Sequence, residues 1–115
     1  MATITRENGY YTLINVFTVA PEDQERIYDV IIEATGIIQQ FPGFVSANVH
    51  KSYDGTRVVN YAQWRSKDEF DAMRRHPDVQ DHFKACRSIT DDIVPIFCEV
   101  AHVHRSPSTG AGHAG

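Results

Sequence analysis

Asp54-Gly55-Thr56-Arg57-Val58-Val59-Asn60-Tyr61-Ala62-Gln63-Trp64 is the stretch that decides the fold. Asp-Gly between two runs of β-branched and aromatic residues is a strong hairpin signal, because a tight turn needs residues that tolerate positive φ. With Asp54 and Gly55 as the loop, Tyr53 faces Thr56, Lys51 faces Val58, Val49 faces Asn60, Ala47 faces Ala62 and Val45 faces Trp64. Side chains alternate across a strand, so these pairs share one face. The opposite face carries Phe44, Ser46, Asn48, His50, Val59, Tyr61, Gln63 and Arg65. The first face is apolar enough to lie under helices, and Asn60 is its polar residue away from the turn. Ala47 and Ala62 leave room above the sheet. An amide beside an indole and a gap, beneath a helix layer, marks the expected working site.

The totals fit one domain, expected over residues 1–105, followed by a Gly/Ser/Pro-rich tail at 106–115. A chain of 115 residues buries roughly two thirds of its unfolded surface without a staple. The net charge of -4 argues against nucleic acid, which demands a basic face. No apolar run approaches the roughly 20 residues of a membrane span. Met1 to Arg6 carry no apolar leader core, so no signal peptide is expected. Cys86 and Cys98 lack CxxC spacing and read as reduced, buried hydrophobes of a cytoplasmic protein.

Outward from the hairpin, Tyr10 to Val19 reads as a strand. Leu13, Asn15, Phe17 and Val19 share one face, and Asn15 is a second lone amide in an apolar row. Ala20-Pro21-Glu22-Asp23 opens a helix, with proline in its first turn and acids at its positive end. Ile27, Val30, Ile31, Ala34, Ile37 and Ile38 keep helical spacing up to Pro42-Gly43. Gly36 weakens that helix, and close approach of a neighbour or ligand would explain it. Ser66-Lys67-Asp68-Glu69 is a capping box in which each side chain satisfies the other residue's backbone N–H. Phe70 and Met73 mark the buried side of a short helix that Pro77 interrupts. Val79, Phe83, Cys86 and Ile89 mark the next. Ile93 to Val103 is the last strand, and Pro95 places it at an edge or makes it a start. The order strand, helix, strand, strand, helix, strand is the ferredoxin-like split βαβ plan, an α+β fold with helices on one face of a four-stranded antiparallel sheet. Its bare face would expose Phe44, Tyr61 and Val59 beside Ser46, Asn48 and Gln63, a patch that calls for a partner. Two copies packed face to face into a closed barrel are expected, hence a homodimer.

From Asp54 to Ser66, and at Phe41-Pro42-Gly43-Phe44, the chain resembles the antibiotic biosynthesis monooxygenase family over about Tyr11 to Val103. Asn60-Tyr61-Ala62-Gln63-Trp64 is most similar to the small cofactor-independent oxygenases of aromatic polyketide pathways, which turn anthrones or phenols into quinones. The resemblance implies a dimeric α/β barrel, a substrate between sheet and helices, molecular oxygen as co-substrate and no cofactor. It assigns the family's strand Asn and Trp to Asn60 and Trp64. The tyrosine common in the following helix is Phe70 here. The basic residue of the later helix has no clean match among His82, Lys84 and Arg87.

The implied chemistry suits those residue types. An anthrone C–H is acidic because its loss makes an aromatic enolate, which is electron-rich enough to reduce oxygen directly. Asn60 would donate its NH2 to the enolate or peroxide oxygen. Trp64 would stack on the rings or bond the same oxygen. Asn15, Phe17, Phe70, Met73, His82 and Phe83 are the expected substrate contacts. Plain structural roles compete for each: Asn60 as a strand bridge, Trp64 as core, His82 as a half-buried surface residue. His102 and His104 point the same way on the expected strand, but no third ligand is in register, so no metal site is expected. Arg74-Arg75-His76 reads as a solvated turn. Two other functions stay open: a haem-degrading enzyme, for which Met73 and Lys84 stand where that branch has Trp and His, and a non-catalytic, cyclase-like polyketide template.

Overall fold

β1 (Tyr11–Thr18) and β3 (Arg57–Trp64) lie side by side at the centre of a four-stranded antiparallel sheet. β2 (Phe44–Lys51) is the edge outside β3, and β4 (Ile93–Cys98) is the edge outside β1. The computed structural model describes residues 9–107. α1 (Gln24–Ile38) joins β1 to β2, and α2 (Lys67–Arg74) with α3 (Pro77–Ile89) joins β3 to β4. This is the ferredoxin-like α+β plan. Pro95 sits on the edge strand, where its missing N–H breaks no ladder bond on the open side. The expected tail from Ser108 onward lies outside the described residues, and no described helix is long and apolar enough to cross a membrane.

The hairpin keeps the expected register from Ala47↔Ala62 through Val49↔Asn60 to Lys51↔Val58. Its turn is wider than two residues. Only Gly55 has positive φ (80°), whereas a two-residue turn of the Asp-Gly kind needs it at both positions. Asp54 holds the wider loop instead. Its carboxylate accepts from the Ser52 hydroxyl (2.7 Å), the Thr56 N–H (3.0 Å) and the Thr56 hydroxyl (2.7 Å). Those donors hold its pKa down at about 2.

At the other end of the hairpin the expected pairing fails. A bulge between Phe44 and Ser46 puts Phe44, not Val45, opposite Trp64. Phe44 therefore leaves the bare face and packs edge-on against the indole, with ring centroids 5.6 Å apart. Ser46 and Gln63 are not exposed either. Both are buried, in a row with Thr12 across three strands. Apart from Asn48 and His50 at the β2 edge, what the bare face presents is apolar: Tyr61, Ile14 and Ile96 form one cross-strand row, and Val59, Val16 and Val94 the next. The last strand ends at Cys98 rather than Val103, because β1 starts at Tyr11 and offers no ladder beyond it.

Proline at the head of the 3-10 turn Pro21–Asp23 leads into α1, which buries Ile27, Ile31 and Ala34. Ser66 caps α2 by accepting the Glu69 N–H at 3.2 Å. The return arm differs from a full capping box: Glu69 takes the Ser66 hydroxyl (3.1 Å) and Arg65 (2.6 Å). The hydrophobic core falls into two clusters. Phe17, Val19, Ile27, Ile31, Val58 and Cys86 make one; Leu13, Trp64, Phe70, Met73 and Val79 make the other. Asn15 lies between the two along β1, and Asn60 with Ala62 between them along β3.

Two glycines give opposite expectations. Gly43 has φ 89°, and a Cβ there would meet the Glu69 side chain at 2.5 Å. Around Gly36 no protein atom lies within 4 Å of an added Cβ, so close approach of a protein neighbour does not account for it. Gly43→Ala is expected to destabilise the fold by more than about 1 kcal/mol. Gly36→Ala should stabilise it by up to about 1 kcal/mol, both read from urea midpoints at constant m.

Candidate active site

The amide row opens into a cavity of about 300 Å³ between sheet and helices. Its floor is the sheet face that begins with Leu13, Asn15 and Phe17 on β1 and continues with Asn60, Ala62 and Trp64 on β3. The small Ala47 and Ala62, directly opposed, keep the floor low. The roof comes from α1 through Ile31, Ala34 and Thr35, and from α3 through His82, Phe83 and Cys86. Phe70, Met73 and Arg74 of α2 close one end, and Pro95 and Phe97 line the β4 side. All eight residues singled out from the sequence (Asn15, Phe17, Asn60, Trp64, Phe70, Met73, His82 and Phe83) line this one space.

The rings form a connected wall. Trp64 is 1% exposed and stands edge-on to Phe70 at 5.9 Å. Phe70 in turn meets Tyr11 at 5.6 Å and Phe97 at 5.7 Å. Phe70 thus braces the indole from the side and leaves the cavity open. A flat, polarisable slot of this kind suits a fused aromatic ring system, since offset and edge-on ring contacts are both available to it.

The polar groups are few and placed apart. Asn15 and Asn60 are Cα partners on the two central strands. The side-chain oxygen of each is buried and has no hydrogen-bond partner in the protein. Leaving such an acceptor unsatisfied costs about 1–3 kcal/mol, so an amide pair in this state is poor core material. Thr35, by contrast, is satisfied: its hydroxyl donates to the Ile31 carbonyl at 2.8 Å.

His82 links the two roof helices. One ring nitrogen meets the Asp78 carbonyl at 3.0 Å, and the other meets the Glu33 carboxylate at 3.0 Å. Both partners only accept, so both contacts are made together when the ring carries its second proton. The Asp78 carbonyl and the Glu33 carboxylate together raise its pKa. When protonated, His82 has no ring lone pair left to accept a proton. Arg74 and Arg87 also reach the cavity, whereas Lys84 does not line it.

Arg74 was hidden in sequence by its neighbours. Arg74, Arg75 and His76 are exposed as expected, but they divide between two helices: Arg74 closes α2, and His76 caps α3 by accepting the Asp78 N–H at 3.2 Å. Helical spacing from Phe70 was the available signal, because residues four apart share a face. The Arg74 guanidinium accordingly lies 5.8 Å from the Phe70 ring centre. Phe44 was missed because a bulge cannot be read from alternation. Cys86 lines the roof as a thiol whose pKa burial pushes up, so it behaves as hydrocarbon. His102 and His104 rings lie 5.7 Å apart, outside any strand. Among the described residues no three His, Cys, Asp or Glu side chains gather as a metal site.

Comparison with known proteins places this geometry. The sequence pattern of the family described as antibiotic biosynthesis monooxygenase matches residues 10–86. The tetracenomycin-F1 monooxygenase of Streptomyces glaucescens is 52% identical over 103 residues, covering 89% of this chain and 91% of that one. The monooxygenase from the ActVA-Orf6 gene of Streptomyces coelicolor, solved with the ligand nanaomycin D, superposes with a TM-score of 0.76 at 25% identity, covering 87% of this chain and 98% of that one. SnoaB of Streptomyces nogalater, a cofactor-independent oxygenase, shares the fold at a TM-score of 0.72 and 24% identity, over 82% of this chain and 95% of that one.

The His82 state can be read by NMR titration. Its midpoint is expected above the ordinary 6.5, and Glu33→Gln should lower it. A raised folded pKa stabilises fully below the unfolded value and is lost as pH rises through the folded one. The Glu33→Gln penalty should therefore be larger at acidic than at alkaline pH.

Proposed function

Since the chain belongs to the antibiotic biosynthesis monooxygenase family, we propose that it oxidises a polycyclic phenol or anthrone, an intermediate of aromatic polyketide assembly, to a quinone with molecular oxygen and no metal or flavin. The observation that carries this is the floor of the cavity: Asn60 and Trp64 on one face of β3, with the small Ala62 between them, beneath an apolar, ring-lined roof. The identity to a tetracenomycin-F1 monooxygenase supports the substrate class, as does the aromatic ligand in the ActVA-Orf6 structure.

The reaction follows from the substrate's own electrons. Loss of a ring C–H proton gives the enolate, which passes one electron to oxygen. The radical pair joins carbon to oxygen as a peroxide. Protonation and loss of water leave the new carbonyl, so CH2 and O2 become C=O and H2O. Asn60 donates from its NH2 to the oxygen where charge develops, a dipole fixed in advance by the sheet. Trp64 stacks on the rings and keeps water from the peroxide. Arg74, His82 and Arg87 give the helix side a positive field that favours the anion. The acceptor of the first proton is not His82 in its paired state. The free thiols Cys86 and Cys98 suit a reducing cytoplasm.

The working form is a homodimer. The apolar rows on the bare face, with Val94 49% and Ile96 47% exposed, are covered by the same face of a second copy. Light scattering should give twice the chain mass, and Val16→Asp should halve it. A stable wild-type monomer contradicts the dimer.

Dithranol or emodin anthrone incubated with and without oxygen tests the chemistry. Oxygen uptake and quinone formation should exceed the spontaneous rate, and Asn60→Ala should lower kcat by about 10²-fold. A protein that binds the anthrone without accelerating its oxidation would be a shape template instead.

A further inference from the structure

We infer that the contact between Glu33 and His82 is a gate on the ligand's path: it breaks to let a flat aromatic molecule pass between α1 and α3 and re-forms behind it. This rests on the cavity's being the ligand site proposed above, not on the oxygen chemistry assigned to it.

The roof is held together unevenly. At either end the two helices meet through hydrocarbon. Ile27 and Ile31 of α1 share one cluster with Cys86 and Ile89 of α3, and Ile38 shares the other with Val79 and Phe83. Midway along both helices, above the gap between the clusters, the hydrocarbon stops. There α1 offers the cavity only the small Ala34 and Thr35, and the Thr35 hydroxyl is turned back onto the Ile31 carbonyl at 2.8 Å. Next to them Gly36 leaves open space, since an added Cβ meets no protein atom within 4 Å. Among the described residues, the polar contact that crosses this thin stretch runs from His82 Nε2 to the Glu33 carboxylate at 3.0 Å.

The two halves of that contact are held differently. The His82 side chain is 16% exposed, lines the cavity and is fixed at Nδ1 by the Asp78 carbonyl at 3.0 Å. The Glu33 side chain is 77% exposed, and His82 is its partner among the described residues. An exposed carboxylate held at one point swings into water at little cost, because such pairs stabilise weakly. The hydrocarbon at the two ends keeps the helices in place while the middle opens.

The gate carries a pH dependence. The charged or titratable groups around His82 are Glu33 on α1, Asp78, Asp81, Cys86 and Arg87 on α3, and Arg74 on α2; the sheet face beneath presents amides and hydrocarbon. Between about pH 6 and 9 the carboxylates and guanidiniums keep their charge, and burial keeps Cys86 a thiol. His82 changes charge, with its pKa raised first by the Asp78 carbonyl and then by the Glu33 carboxylate. The charged pair is fully present below the ordinary histidine value and lost as pH rises through the raised one. The gate therefore loosens toward alkaline pH.

Anthraquinone is the probe, being flat, free of titratable groups and not turned over. Trp64 is the only tryptophan of the chain and lines the cavity, so stopped-flow quenching of its fluorescence times entry and exit. In the wild type, association and dissociation rate constants should rise together by up to about fivefold from about pH 6 to pH 9, with Kd within about twofold. Glu33→Ala should be fast at both ends of that range. It leaves His76 and its Asp78 contact at the α3 cap intact, which separates the gate from titration there. A wild-type association rate that ignores pH overturns the gate even if the variant does not fold, and places entry elsewhere, as at the exposed Phe97 on the β4 edge. So does a Glu33→Ala variant as slow as the acidic wild type, or a change confined to one rate constant. Absence of quenching overturns the gate and the ligand site together. Dithranol oxidation with flat entry rates removes the gate and keeps the oxygenase; gated entry without oxygen consumption does the reverse.

Discussion

Two amide side chains occupy the middle of a sheet face that is otherwise built to be hydrocarbon. Asn15 and Asn60 face each other across the two central strands, and the core on either side of them forms two separate clusters. A sheet under helices gains stability by burying apolar area, at about 25 cal/mol per Å². Interrupting that area with two unsatisfied acceptors opposes the gain. Leu or Val at these positions would join the clusters into one continuous core. What the interruption leaves is a largely apolar cavity with a polar floor, and the rest of the chain is arranged to keep it open.

Three devices do this. Small residues at Ala47 and Ala62 lower the floor beside Asn60. The bulge before Ser46 turns Phe44 inward, so that Trp64 is held between Phe44 and Phe70 rather than free to fall into the space. Above, His82 ties α3 to α1 through Glu33, fixing the separation of the two roof helices. The positive charge therefore sits on the roof and the neutral amides on the floor, which polarises the cavity across its short dimension. A substrate that becomes an anion during reaction is favoured by that polarity without any group needing to move.

Much of this was legible in the sequence. Alternation across the Asp54-Gly55 turn gave the hairpin register from Ala47 to Lys51, and with it the face that carries Asn60, Ala62 and Trp64. Helical spacing and the Ser66 cap gave the roof. The chain order gave the ferredoxin-like plan. The failures share a physical origin, since each is a tertiary effect that leaves no period behind. A single extra residue at the bulge inverted the faces assigned to Phe44 and Val45. The strand after Pro95 stopped at Cys98 because its neighbour ran out, not because its own residues changed character. Arg74 is exposed as expected, and only its place at the end of α2 shows that it also reaches the cavity, while the His82 link to Glu33 on α1 needed the helix packing to be seen. That Asn15 and Asn60 are partners required the β1–β3 register, which no local pattern encodes.

The most direct test of the central claim is a crystal structure of the protein with a bound hydroxylated anthraquinone. The account predicts flat rings against Trp64, with a ligand oxygen within hydrogen-bond distance of the Asn60 side-chain amide. Amides bonded to protein groups, or a ligand seated away from the floor while hydrocarbon fills the space above it, would contradict it.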